Sequence, residues 1–249
     1  MRNRLLAGVA GMIAVAGLVA AQVKVSKKEA DAYNSILAAV TPDQQIEAVD
    51  KFVTTFADSG LKSVVLFLAA NAEEQKGDAT KAIVYAQSSL DADPKNYQAM
   101  ILIAGELARG THENDLDKEE KLARSEKLAN DALAVVKTAA KPNPQLSDDQ
   151  WNGIKKDFSG QAHDDLGMAA AVRKKYDVAI AEFKLAIESI TSPTTSMVRL
   201  ASVYDQAGKP DESLALLTKV LAMPTLDPGV KRFAEREKGI AEKLKAGAK

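Results

Sequence analysis

Apolar and small residues along this chain follow a helical stripe, and the stripe itself recurs at a fixed longer interval. Leu166, Gly167, Ala170, Ala179, Phe183 and Ala186 are each followed 34 positions later by Leu200, Ala201, Tyr204, Ser213, Leu217 and Val220. A period of that length is the mark of stacked helix pairs. The residue types explain the spacing. A small residue such as Gly167 or Ala201 lets the two helices of a pair approach closely. Leu166, Phe183, Leu200 and Leu217 fill the gap between them, and Ala179 or Ser213 sits where the second helix crosses the first.

Counting back in the same phase predicts five helix pairs, over residues 29–62, 63–96, 97–139, 160–193 and 194–227. Leu66, Ala69, Ala70, Gly77, Ala82 and Pro94 take the expected places in the second unit, and Ala48 and Phe52 in the first. The third opens on Met100, Ile103, Ala104 and Leu107. It continues in register only if Ser125, Ala129 and Ala132 are its small and core residues, which places extra residues in a turn over 110–122. A second irregular insertion covers 140–159. Residues 228–245 keep Val230, Phe233, Ala234, Ile240 and Leu244 on one stripe of an otherwise charged segment, the pattern of a terminal cap with solvent on its outer side.

Boundary signals agree with this division. Thr41-Pro42-Asp43-Gln44 and Ser147-Asp148-Asp149-Gln150 read as N-caps with a glutamine able to reach back to the cap amide. Pro193, Pro210 and Pro228 stand where helices begin, and Gly60, Gly77 and Gly208 in turns. Lys141-Pro142-Asn143-Pro144 cannot be helical and marks the main linker. Beyond it, residues 147–174 form either one long helix or a short helix carrying Trp151 and Phe158 followed by the first helix of the fourth unit, and Gly153 and Gly160 favour the broken form.

At this point Met197, Leu200, Ala201, Tyr204, Ser213, Leu217 and Val220, with Pro224 one place early, resemble the tetratricopeptide repeat. The resemblance implies an all-α, right-handed superhelical solenoid of about five helix-turn-helix pairs with a C-terminal capping helix. It also implies a concave face built from the first helix of each pair, which in that family holds a peptide or partner protein. The family's groove offsets fall on Tyr33, Leu37, Phe67, Asn71, Glu74, Ile101, Arg109, Asp164, Met168, Val198, Ser202 and Asp205. One branch of the family grips a terminal carboxylate with Lys, Asn and Arg. Here Phe67, Leu102 and Asp164 stand where that clamp needs polar or basic groups and only Asn71 fits, so a receptor of that kind is not expected.

Composition narrows the picture further. Apolar residues make up 46% of the chain and aromatic residues 5%, which suits packed helices rather than a sandwich of strands. One continuous core over residues 22–249 accounts for the length as a single repeat domain. Arg2 and Arg4 precede an apolar run over residues 5–20, and Val19-Ala20-Ala21 offers small residues where a signal peptidase cuts. We therefore expect a signal peptide at 1–21, cleavage after Ala21, and a periplasmic or secreted protein of exported bacterial type. The alternative is an uncleaved membrane anchor. No cysteine is present, so disulfides, thiolate metal sites and lipid attachment through cysteine are excluded. The formal net charge is −1 with no dense basic tract, which argues against nucleic-acid binding.

Candidate chemistry is sparse. His112 and His163 belong to no metal or triad motif, and no nucleophile elbow or phosphate-cradling loop occurs. His112-Glu113-Asn114-Asp115, with Asp117, Glu119 and Glu120, is rich in oxygen but lacks the glycine and spacing of a calcium loop. It reads instead as acids favoured at a helix N-terminus, as does His163-Asp164-Asp165. Arg173-Lys174-Lys175 reads as positive charge at a helix C-terminus. Trp151 serves either as a partner anchor or to pin its insertion to the solenoid. We expect no cofactor, no metal and no enzyme, but a scaffold binding a protein or peptide in the groove. The alternatives are a self-associating structural component and an enzyme with a site in the insertions.

Overall fold

The computed structural model describes residues 25–247; the leader expected at residues 1–21 lies outside them. Among the described residues, eleven helices follow in order: α1 (Lys27–Leu37), α2 (Pro42–Thr55), α3 (Lys62–Lys76), α4 (Ala79–Ala92), α5 (Tyr97–Arg109), α6 (Lys118–Thr138), α7 (Asp148–Val172), α8 (Tyr176–Ser189), α9 (Thr194–Gln206), α10 (Pro210–Leu221) and α11 (Pro228–Gly247). Each odd-numbered helix from α1 to α9 packs on the even-numbered one after it, successive pairs stack, and α11 covers α9 and α10. The result is an all-α solenoid of five pairs with a capping helix.

Local sequence sets these boundaries. At α2, the Gln44 amide donates to Thr41 Oγ1 and the Thr41 amide to Gln44 Oε1, each at 3.2 Å. Ser147 and Gln150 make the same reciprocal pair at α7. Such a cap satisfies two amides that the first turn leaves without helical partners. Gly77 and Gly208, at φ 79° and 72°, take the left-handed conformation that ends α3 and α9.

The core runs along the stack as four apolar clusters. One joins α1 to α3 around Phe52 and Leu61, and the next joins α3 through α7 around Ile103 and Ala129. A third centres on Phe183 between α7 and α9, and the last seats α11 on Leu217 and Val220. Ser125, Ala129 and Ala132 are fully buried, and the Ser125 hydroxyl donates to the Ala104 carbonyl at 2.8 Å, so α6 closes on α5 through small residues. In the next pair an added Cβ at Gly167 meets the Phe183 ring at 3.0 Å. The close approach read from the repeat is therefore made by that glycine.

One expectation is overturned. Gly153 and Gly160 do not break the segment after the linker; α7 runs unbroken for 25 residues. A glycine costs a helix interior about 1 kcal/mol, and packing outweighs it here. Trp151 is buried and its indole N–H donates to the Ala139 carbonyl at 3.1 Å. Phe158 meets Tyr97 edge-on, with ring centroids 5.0 Å apart. Gly160 has a separate role: a Cβ there lies 2.6 Å from Ile190 Cγ1 and 2.9 Å from Ser189 Cβ, so it lets the end of α8 cross α7. Residues 148–159, expected within an irregular insertion, are the first half of this long helix. The acids Asp164 and Asp165 consequently lie deep inside α7. They are remote from its N-terminus, and the dipole explanation for them fails.

Candidate functional site

The first helices of four consecutive pairs, α3, α5, α7 and α9, line a cavity of about 340 Å³. Its apolar wall comes from Phe67, Ile101, Leu102 and Phe158, and Ile190 and Pro193 close it from the turn before α9. Its polar wall is a chain of charges. The Arg109 guanidinium on α5 donates to Glu74 on α3 at 2.9 Å and to Glu106 at 2.5 Å. Across the groove, Arg199 on α9 pairs with the Asp164 carboxylate on α7.

Asp165 stands between these pairs. The residue is 4% exposed, and burial, reinforced by the neighbouring Asp164, pushes its carboxyl well above the usual aspartate range, with Arg109 and Arg199 pulling the other way. Gly105 on α5 makes the room: a Cβ there meets Asp165 Oδ1 at 2.9 Å. Partial burial likewise raises Glu74, opposed by Arg109.

No family model and no curated protein matches this chain. Among solved structures, a thermophilic TPR protein from Thermus thermophilus superposes with a TM-score of 0.56 at 17% identity, over 79% of this chain and 90% of that one. The chain has the tetratricopeptide-repeat fold. The MamA protein (TM-score 0.43, 21% identity, 74% and 82% of the two chains) and a tetratricopeptide repeat protein from Parabacteroides merdae (0.40, 15%, 87% and 90%) are more distant in shape.

Within this tetratricopeptide-repeat fold, the cavity gathers Phe67, Asn71, Glu74, Ile101, Arg109 and Asp164 from the residues placed on the groove by sequence. The others lie elsewhere. Tyr33 and Leu37 pack in the N-terminal cluster, where burial pushes the Tyr33 phenol up to about 12. Met168 joins the cluster around Phe183, and Val198 is fully buried beside Leu217. Asp205 on α9 is buried with its carboxylate accepting from Ser213 of α10 at 2.9 Å, and Ser202, also on α9, is half-buried. These differences arise because a helix of a solenoid has neighbours on three sides, and a groove offset does not say how far a following helix covers it.

Sequence reasoning missed Asp165, Arg199, Gln98, Phe158 and Gly105. A signal was present: Asp165 and Arg199 are one repeat interval apart, both charged at a position that is Leu68 and Leu102 in the second and third units. Arg173, His163 and Trp151 make contacts within the fold. Arg173 reaches back to Glu119 and Glu126 of α6 at 2.7 Å and 2.5 Å, and His163 pairs with Glu182 of α8 at 2.7 Å. The buried Trp151 offers no exposed anchor. Among the described residues, no three His, Cys, Asp or Glu side chains are placed to hold a metal ion, and no helix is long and apolar enough to cross a membrane.

Proposed function

We propose that the chain is a non-enzymatic scaffold that holds a segment of a partner protein in the cavity between α3, α5, α7 and α9. The observation that carries this reading is the cavity itself. It is concave, draws on four repeats, and has an apolar wall opposite a small set of fixed charges, the makeup of a recognition site. Its charges are held by one another across repeats, so the groove is preformed. We place the protein in the bacterial cell envelope, on the strength of the basic start, apolar run and small residues at Val19-Ala20-Ala21. N-terminal sequencing of the protein recovered from cells tests that placement, with Gln22 expected first.

The binding reading is tested by crosslinking in cells with mass spectrometry of what is captured. Phe67 and Ile101 are only 4% and 7% exposed, so acidic substitutions there disturb packing as well as binding. Asn71→Trp with Thr195→Trp is the better blocking pair, because both residues line the cavity and neither is buried. Specific capture lost in that variant at unchanged helix content is the expected result. Capture that survives it moves the site elsewhere.

A further inference from the structure

Two buried carboxyl oxygens beside the cavity have no donor. Asp164 and Asp165 are 6% and 4% exposed and line the cavity, and Asp164 Oδ1 and Asp165 Oδ2, themselves buried, accept no hydrogen bond. A buried carboxylate oxygen without a donor is costly and is rarely retained without a use. Both arginines are already committed, Arg109 to Glu74 and Glu106, and Arg199 to Asp164. Four carboxyl groups therefore share two guanidinium groups, and the deficit is one of positive charge. An anionic ligand would find no free cation there.

We infer that this cavity receives the ammonium head of a lysine side chain from the partner segment, seated on Asp164 and Asp165. This rests on the reading of the groove as a binding site for a protein segment. A lysine stem is four methylenes long and packs on apolar surface while its head carries three donors. Phe67, Ile101 and Phe158 supply that surface beside the two acids. Gln98, also on the cavity wall, has an unpartnered Nε2 that can donate to a carbonyl of the segment's backbone. A divalent ion is a poorer fit, since calcium takes six to eight oxygens and two are free.

The occupant also answers the protonation of Asp165. Glu74 from α3, Glu106 and Arg109 from α5, Asp164 beside it on α7 and Arg199 from α9 are the charged groups around it. With both arginines engaged, burial and the neighbouring Asp164 hold the Asp165 carboxyl toward its protonated form. An arriving ammonium supplies positive charge and favours the ionised form of Asp165, with the proton it displaces passing to solvent. Affinity for the cation accordingly rises with pH until the free carboxyl is ionised.

The test uses calorimetric titration of the full chain with two charged probes and their uncharged partners. The probes are the capped peptide acetyl-Ala-Ala-Lys-Ala-Ala-amide against its norleucine counterpart, and n-pentylammonium against n-pentanol. The charged member of each pair is expected to bind about ten-fold more tightly or better, with affinity increasing as pH rises above the ordinary aspartate range. Asp165→Asn is expected to remove most of that preference and the pH dependence, and Asp164→Asn part of the preference. Equal binding of lysine and norleucine peptides overturns the inference, and that comparison needs no variant to fold. A cation preference unchanged in Asp165→Asn overturns it as well. Partner capture in cells that is blocked by Asn71→Trp with Thr195→Trp, alongside no cation preference, defeats the lysine site and leaves the groove reading intact. Tight n-pentylammonium binding with capture untouched by the blocking pair leaves an amine site and defeats the groove.

Discussion

The fourth and fifth repeats share a framework and differ in what they place on it. Gly167 and Ala201 occupy one repeat position, Ala179 and Ser213 another, Phe183 and Leu217 a third, and all six are buried. One step along the first helix the likeness ends. Asp164 and Asp165 on α7 stand where α9 has Val198 and Arg199, and where α3 has Phe67 and Leu68. The fully buried Val198 seals its repeat against the cap, whereas the acids of α7 leave two buried oxygens without a donor beside a cavity. Positions that bring helices together tolerate only changes of size. Positions facing the groove tolerate a change of chemistry, because the solenoid stands without them.

The widest consequence concerns the shared framework. Phe183→Ala is expected to cost about 3–5 kcal/mol and Leu217→Ala about 2–5 kcal/mol, measured by urea unfolding. A loss under about 1 kcal/mol at either position breaks the equivalence of the two repeats. Next in size is the contrast between the two glycines of α7. Gly160→Ala drives a methyl into Ile190 and is expected to cost about 1–3 kcal/mol, whereas Gly153→Ala meets nothing within 4 Å and should gain up to about 1 kcal/mol.

The acids sharpen the comparison through pH. The folded pKa of Asp165 lies above its unfolded value, so its contribution is full below the ordinary aspartate range and is lost as pH rises through the raised folded value. The parent chain should therefore fall behind Asp165→Asn in stability as unfolding is followed from about pH 4 upward. A constant difference between the two proteins across that range removes the claim that the Asp165 carboxyl is raised above the usual aspartate range. The smallest effect belongs to an exposed ion pair on α6. Lys127→Ala breaks an exposed 2.5 Å pair with Asp131 one turn away and should change stability by less than about 0.5 kcal/mol.

Much of the fold was legible because repeat packing is a local, periodic demand. The spacing of Gly167, Phe183, Ala201 and Leu217 states which faces meet, and Thr41 with Gln44 or Ser147 with Gln150 states where helices start. The candidate site was half legible. Phe67, Asn71, Glu74, Ile101, Arg109 and Asp164 follow from groove offsets, but Asp165 reads as a helix-terminal acid as long as Gly153 and Gly160 are taken to end a helix.

What the sequence by itself determined is the repeat: helix pairs, their register, their caps and their small-residue contacts. These depend on residues a few turns apart and on a period repeated often enough to be read. The tertiary structure alone decided that α7 is continuous, since the cost of its glycines is offset by Trp151, Phe158 and Ile190 contacts made with other helices. It also decided that Glu74, Arg109, Asp165 and Arg199 meet. Those four come from four different helices, and their charges act on one another only at the distances and in the low polarity that stacking creates.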